Sequence, residues 1–284
     1  MKKNNPIVIL GAPRSGTTIL GDLLSSHPDV HYMVEPTPLW RRFAKFYGDF
    51  VDCNYSKKDV SDTRQGFDAA LKKSCKKYIL EKTPQNCLRV PFVYDVFPDG
   101  KYIHIVRDGY ESSLSIMRHW ETNTSGFTGV RIGQRLKELS LSQIPKYGMQ
   151  FMKRLLPSSG KPRVYWGPVL PGMSKMLDAF SIAEISAIQW KTCVEQACHF
   201  GRKLPVCQYM EVRLEDLTSE KMREIIEFAD LPASVEVDRA FDEKFNREQT
   251  NYRRSEAKVN VLEKMKPWLE PTMCWLNQDD ESSK

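Results

Sequence analysis

The stretch Ile7-Val8-Ile9-Leu10-Gly11-Ala12-Pro13-Arg14-Ser15-Gly16-Thr17-Thr18-Ile19-Leu20 decides how the rest of the chain is read. A short apolar, β-branched run ends in Gly11, and Gly16 opens a pattern with helical spacing of its apolar residues. Strand, glycine-bounded loop and helix in that order form a phosphate-cradling unit. The two glycines let the backbone wrap until consecutive N–H groups converge on an anion. The helix that starts near Thr17 adds the positive end of its dipole.

The spacing Gly11-x-x-x-x-Gly16 matches the nucleoside-triphosphate loop, but the next residue does not. Where that motif needs Lys and then Ser or Thr, this chain has Thr17 and Thr18, and the positive charge sits inside the loop at Arg14. The segment Pro13-Arg14-Ser15-Gly16-Thr17-Thr18 resembles the 5′-phosphosulfate loop of the sulfotransferase family. The resemblance implies a donor, 3′-phosphoadenosine-5′-phosphosulfate (PAPS), held by Arg14, Ser15, Gly16, Thr17 and Thr18.

The whole chain is compatible with this. Its 284 residues suffice for one large domain with a full core, and 41% hydrophobic with 27% charged residues is ordinary for a globular protein. No apolar run approaches a membrane span, and Ile7 to Leu10 is too short for a signal peptide. Seven cysteines, odd in number and without C-x-x-C spacing, indicate neither a disulfide framework nor a zinc site. Reduced thiols make a cytoplasmic setting the default expectation, with a luminal Golgi fragment as the alternative. The net charge of +6 is what a bisphosphate-binding site calls for and does not separately indicate nucleic acid.

In chain order, the first helix runs to about Ser26 and ends at His27-Pro28. Val30 to Val34 reads as a second strand, with Glu35-Pro36 at its end. An acidic residue there, beside a phosphate loop, faces the site of an open α/β sheet. In the tyrosylprotein and related Golgi-type branch of the family, a glutamate regarded as the base follows such a His-Pro turn, and Glu35 falls on that position. Residues 39 to 75 read as mixed and mostly helical. Tyr78 to Pro84 reads as a strand ending in Lys82-Thr83-Pro84, which resembles the family's second element. The cytosolic branch carries a histidine base where this chain has Pro84, so the resemblance points to Glu35 as base and Lys82 as the catalytic cation.

Gln85 to Phe97 reads as a helix and Lys101 to Val106 as a strong strand, followed by Arg107-Asp108-Gly109 and a helix to about Trp120. Arg107 with Ser115 resembles the family's 3′-phosphate element. The spacing has a physical reason: an arginine forks onto phosphate oxygens, and a serine two helical turns on reaches the same group. His104 in the strand reads as packed rather than catalytic, and the other histidines have no metal-ligand spacing.

From about 122 to 180 the pattern weakens into a Gly-, Pro- and basic-rich stretch. It is the candidate lid or acceptor insertion, with Tyr165 and Trp166 as candidate pocket walls. Ser181-Ile-Ala-Glu184 is a capping box opening a helix to about His199. Val206 to Val212 reads as the last strand, then Leu214-Glu215-Asp216 and a helix from Ser219 to Ala229. Relatives usually have tyrosine near the adenine where this chain has Leu214. The segment Phe245 to Arg254 resembles the family's C-terminal loop, making Arg247, Tyr252 and Arg253 further donor-binding candidates, before a helix ending at Trp268.

The reading is a single α/β domain, residues 1–284, with a P-loop-type parallel sheet and helices on both faces. The resemblance implies sulfuryl transfer from PAPS to an acceptor hydroxyl or amine (carbohydrate, peptide or small molecule), releasing adenosine 3′,5′-bisphosphate, without a metal. The alternatives are a P-loop kinase or NTPase, which needs Lys at position 17 and an acidic magnesium ligand, and a non-catalytic nucleotide-binding scaffold. Neither the acceptor nor the oligomeric state can be read from the chain.

Overall fold

Four consecutive apolar residues, Ile7–Leu10, form strand β1, and none of them has exposed surface. A strand that is apolar on both faces belongs inside a parallel sheet covered on both sides. The computed structural model describes residues 5–42, 44–51, 54–123, 165–245 and 253–281. It divides into two compact units, Met1–Met117 with Gly167–Lys284, and Arg118–Trp166.

In chain order, β1 leads into α1 (Thr17–Leu24), β2 (Val30–Val34), a short α2 (Thr37–Trp40), a hairpin of β3 (Phe46–Tyr47) and β4 (Phe50–Val51), and α3 (Lys57–Ser74). Then come β5 (Tyr78–Lys82), a 3-10 turn over Pro84–Arg89, α4 (Val90–Val96), β6 (Lys101–Val106) and α5 (Gly109–Asn123). The remainder is α6 (Met173–Ala179), α7 (Ile182–Gly201), β7 (Tyr209–Arg213), a 3-10 turn at Leu214–Asp216, α8 (Ser219–Phe228), α9 (Val235–Lys244), α10 (Arg253–Glu256) and α11 (Val259–Glu281).

Five strands form one sheet in the order β2-β5-β1-β6-β7, every pairing parallel. Because successive side chains alternate between faces, Ile7, Ile9, Leu80, Ile103, Ile105 and Val212 share one face. They pack there with Leu20, Leu23 and Leu24 of α1, Ile225 of α8 and Val237 of α9. The pairings Val8↔Glu81 and Leu10↔His104, and His104↔Glu211, place a second set of residues on the opposite face. That face is covered by α7, whose capping box is formed: Ser181 N donates to Glu184 Oε2 at 2.9 Å and Glu184 N returns to Ser181 Oγ.

Several element boundaries differ from the sequence reading. Residues 39–75 hold a hairpin as well as helix, because Gly48, at φ 64°, turns the chain back. The helix expected over Gln85–Phe97 starts as a 3-10 turn and becomes α-helical only at Val90. The last strand is Tyr209–Arg213 rather than Val206–Val212; Val206 is 93% exposed, its β-branched side chain outside any sheet. Helix α11 does not end at Trp268 but continues through Pro267 and Pro271. Each proline deletes one backbone bond, yet Met265, Leu269, Thr272 and Leu276 keep one buried stripe across both. Of the 122–180 insertion, Gly167–Phe180 belongs to the first unit and includes α6, while residues 124–164 lie outside the described ones. Trp166 stacks on His119 within the second unit, ring centroids 4.9 Å apart.

Beneath α7 lies a polar network. His104 Nδ1 and Tyr209 Oη are 2.8 Å apart, Tyr209 donates to Glu211 Oε1 at 2.9 Å, and Arg202 forks onto both Glu211 oxygens at 2.7 and 2.8 Å. Cys198 Sγ lies 3.7 Å from the same imidazole nitrogen. Although His104, Cys198 and Glu211 are close enough together to resemble a ligand set, the phenol already engages His104 Nδ1 and the guanidinium both Glu211 oxygens. Burial lowers His104 to a pKa of about 4, and its Nε2 is buried without a partner. The unfolded chain therefore binds the extra proton between pH 6.5 and 4, so stability present above 6.5 is lost as pH falls through that window. We expect His104→Asn to lose less stability across that interval than the wild type, read from urea midpoints at each pH. Parallel slopes would assign the acid sensitivity elsewhere.

Candidate active site

All five parallel strands deliver their carboxyl ends to one edge of the sheet, where ligands of open α/β folds bind. Gly11 follows β1, Glu35 follows β2, Lys82 ends β5, Arg107 follows β6 and Leu214 follows β7. The register Ile9↔Lys82 and Leu10↔His104 sets these three strands side by side, with β6 running two residues past the end of β1.

The loop after β1 is tightly seated. A Cβ on Gly11 would lie 2.7 Å from the Ile105 carbonyl oxygen, and the Gly11 amide donates to buried Cys87 Sγ at 3.1 Å. Gly16 sits at φ 92° as the residue before α1, and a Cβ there would meet Leu214 Cδ1 at 2.7 Å. Leu214, in the place where tyrosine was expected, thus lies buried under the loop. Ser15 and Thr17 are buried, whereas Arg14 and Thr18 are exposed above them. Arg14 adopts φ 68° and Glu35 φ 48°. Left-handed backbone costs a non-glycine residue about 1–2 kcal/mol, and such strain concentrates at functional sites.

Two clusters converge on this loop. In the first, Lys82 Nζ donates to Glu35 Oε1 and to Thr18 Oγ1, both at 3.3 Å. The lysine side chain is 3% exposed and the glutamate 32%, so the cation is sunk and the carboxylate faces outward. The backbones are joined as well: Glu35 N donates to the Lys82 carbonyl at 2.8 Å. In the second, Arg14 Nε donates to Ser115 Oγ at 3.0 Å, and Arg107 Nη1 donates to the Arg14 carbonyl at 3.2 Å. The two elements read from sequence as 5′- and 3′-phosphate contacts therefore touch each other.

Arg107 also pairs with Glu111 at 3.3 Å, one helical turn on, and both are buried. Glu111 Oε1 accepts from the Arg254 amide at 2.7 Å, and the Arg254 guanidinium stands 4.2 Å from the Tyr110 ring centre. Asp108 Oδ1 caps α5 by accepting from Glu111 N, while Asp108 N donates to Glu215 at 2.9 Å. Of the C-terminal candidates, Arg247 and Tyr252 lie outside the described residues, and of Arg253 only its place at the start of α10 is described.

A sequence model of the sulfotransferase family matches residues 6–159, just over half of the chain and the part that carries the loop, Glu35, Lys82, Arg107 and Ser115. The chain belongs to the sulfotransferase family. Among curated proteins it is similar to the nodulation protein NoeE of Sinorhizobium fredii, 28% identical over 132 residues, 39% of this chain and 31% of that one. It is also similar to the protein-tyrosine sulfotransferase of Drosophila melanogaster, 28% identical over 131 residues, 42% of this chain and 26% of that one. The chain thus spans about a third of the length of these relatives or less. Solved structures share its fold. The sulfotransferase domain of the Synechococcus PCC 7002 olefin synthase superposes with a TM-score of 0.50 at 16% identity, covering 99% of this chain and 97% of that domain. STF9 of Mycobacterium avium gives 0.50 at 15% identity, covering 93% and 76%.

Some participants in this sulfotransferase site were not legible in the sequence. Glu111 follows Arg107 at i+4, a spacing that signals a helical ion pair, but nothing local ties it to Arg254, 143 residues away. Cys87 carried no signal at all, because its role is to accept one amide of a loop 76 residues upstream. Gly16→Ala is expected to destabilise the protein by about 1–3 kcal/mol through left-handed strain and the Leu214 contact, and to weaken anion binding with it. Thermal denaturation with and without inorganic phosphate checks both; an unchanged melting temperature would show that the loop relaxes freely.

Proposed function

We propose that this sulfotransferase transfers a sulfuryl group from PAPS to an acceptor hydroxyl or amine, with Glu35 and Lys82 as its catalytic pair. The observation that carries the reading is the meeting of Lys82, Glu35 and Thr18 beside the glycine loop. The named activity of the Drosophila relative supports the class of reaction.

In this reading the loop amides, Arg14 and the N-terminus of α1 bind the 5′-phosphosulfate. Arg107 and Ser115 take the 3′-phosphate, the group that separates this donor from ATP. Glu35 accepts the proton of the acceptor as its oxygen or nitrogen forms the new bond to sulfur. Lys82, with Thr18, stabilises the charge that grows on the bridging oxygen as the old sulfur–oxygen bond breaks. As in phosphoryl transfer, positioning and electrostatics supply most of the catalysis. The transferred group carries a single charge, and the protein's own cations face it without a metal.

Calorimetric titration in EDTA should show tight binding of adenosine 3′,5′-bisphosphate and little of ATP. Preference for ATP restored by magnesium would overturn the reading in favour of a P-loop kinase. With ³⁵S-labelled PAPS and a panel of a tyrosine peptide, an oligosaccharide and a simple phenol, Glu35→Gln and Lys82→Ala should each lower kcat by about a hundredfold or more while still binding the bisphosphate. Full turnover in either variant would remove that residue from the mechanism. Donor binding with no transfer to any acceptor by the wild type would favour a non-catalytic scaffold.

A further inference from the structure

Next to Lys82, on the opposite face of β5, stands a carboxylate with no place in the mechanism above. Glu81 is fully buried. Its two oxygens accept three hydrogen bonds from three separate points of the chain. Trp40 Nε1 donates to Oε1 at 2.8 Å, Thr83 Oγ1 donates to the same oxygen, and Asn86 Nδ2 donates to Oε2 at 2.7 Å. Arg89 Nε in turn donates to Asn86 Oδ1 at 2.7 Å, and its guanidinium lies 5.5 Å from the Trp40 ring and 5.2 Å from that of Phe46.

The donors are the two arms of the catalytic pair. Trp40 closes α2, which starts two residues after Glu35 and is tied to it by the Thr37 amide on the Glu35 carbonyl at 2.6 Å. Thr83 directly follows Lys82, and Asn86 belongs to the 3-10 turn that continues from it, its amide on the Thr83 carbonyl at 2.9 Å. A buried carboxylate costs several kcal/mol of desolvation, so stability alone would be served better by an apolar side chain. A carboxylate with three fixed donors does something an apolar side chain cannot: it sets angles and distances between the segments that hold them. Burial pushes Glu81 up to about 7, against the bonds from Thr83 and Trp40 and the charges of Arg89 and Lys82.

We propose that Glu81 is a positioning residue: by binding Trp40 on one side and Thr83 with Asn86 on the other, it fixes where Glu35 stands relative to Lys82. The proposal rests on the sulfotransferase reading of that pair. It makes no use of the donor site, since the loop, Arg107 and Ser115 are joined through other contacts.

The test is a set of variants assayed with ³⁵S-labelled PAPS and the same acceptor panel. Glu81→Gln turns an NH₂ toward the Asn86 NH₂, and Asn86 cannot rotate without dropping Arg89. We expect kcat to fall about 10- to 100-fold, the scale of a misplacement near 1 Å, while the Kd for adenosine 3′,5′-bisphosphate stays within about twofold of wild type. Glu81→Gln/Asn86→Asp restores a complementary pair, keeps an acceptor for Arg89, and should regain kcat to within a few-fold of wild type. Trp40→Phe keeps an aromatic ring among Phe67, Phe92 and Phe97 but removes the bond on the Glu35 side together with part of the packing. It should lower kcat with bisphosphate binding unchanged, and carries the test if Glu81→Gln fails to fold. Wild-type kcat in Glu81→Gln or in a folded Trp40→Phe would overturn the proposal, as would a double variant as slow as the single or bisphosphate binding lost in step with kcat. A wild type without turnover would instead fail the sulfotransferase reading. Crystal structures of wild type and Glu81→Gln would then decide the positioning role: an unchanged Glu35–Lys82 separation refutes it and a displaced Lys82 upholds it.

Discussion

Strand β1 has no exposed residue, and it is hydrogen-bonded on both sides, to β5 and to β6. Its parallel alignment with these neighbours puts the carboxyl ends of the three strands side by side. Every functional contact described here depends on that alignment. The loop after β1 lies between Lys82 at the end of β5 and Arg107 beyond β6, because a parallel sheet sends all its strand ends the same way. Glu35 joins them because β2 pairs with β5 over its full length, Val34 opposite Lys82.

Around that edge the structure spends stability on geometry. Arg14 and Glu35 hold left-handed backbone, Lys82 and Arg107 are buried cations, and Glu81 is a buried carboxylate. Each is a local cost that a core built for stability alone would avoid. The large apolar face shared by α1, α8 and α9 supplies the compensating burial. The costly groups are also bonded to one another, Arg107 to Glu111 and to the Arg14 carbonyl, Lys82 to Glu35. The site is therefore two bonded polar clusters over a hydrophobic floor.

The two faces of the sheet have different tasks at that edge. Lys82 lies on the side of α1 with Thr18, and Glu81, one residue earlier, lies on the side of α7 with Trp40 and Asn86. Alternation along a single strand thus separates the group assigned to chemistry from the group proposed to place it. The same alternation puts His104 into the network with Tyr209 and Glu211, away from the site.

The sequence by itself determined the α/β parallel fold, the glycine loop and the residues at each strand end, because all of these are encoded within a few neighbouring positions. Apolar runs, glycine spacing and an Arg-to-Ser interval of eight residues are local signals, and they led to the family. Only the tertiary structure decided what joins those segments. Trp40 meeting Glu81, Cys87 meeting the Gly11 amide, Arg254 meeting Glu111 and Leu214 lying under Gly16 are contacts between residues 41 to 198 positions apart. The path of α11 through two prolines was likewise decided by its buried stripe against the core, where local propensity favours a stop. Such choices are made by packing between distant segments, and no window of neighbouring residues contains them.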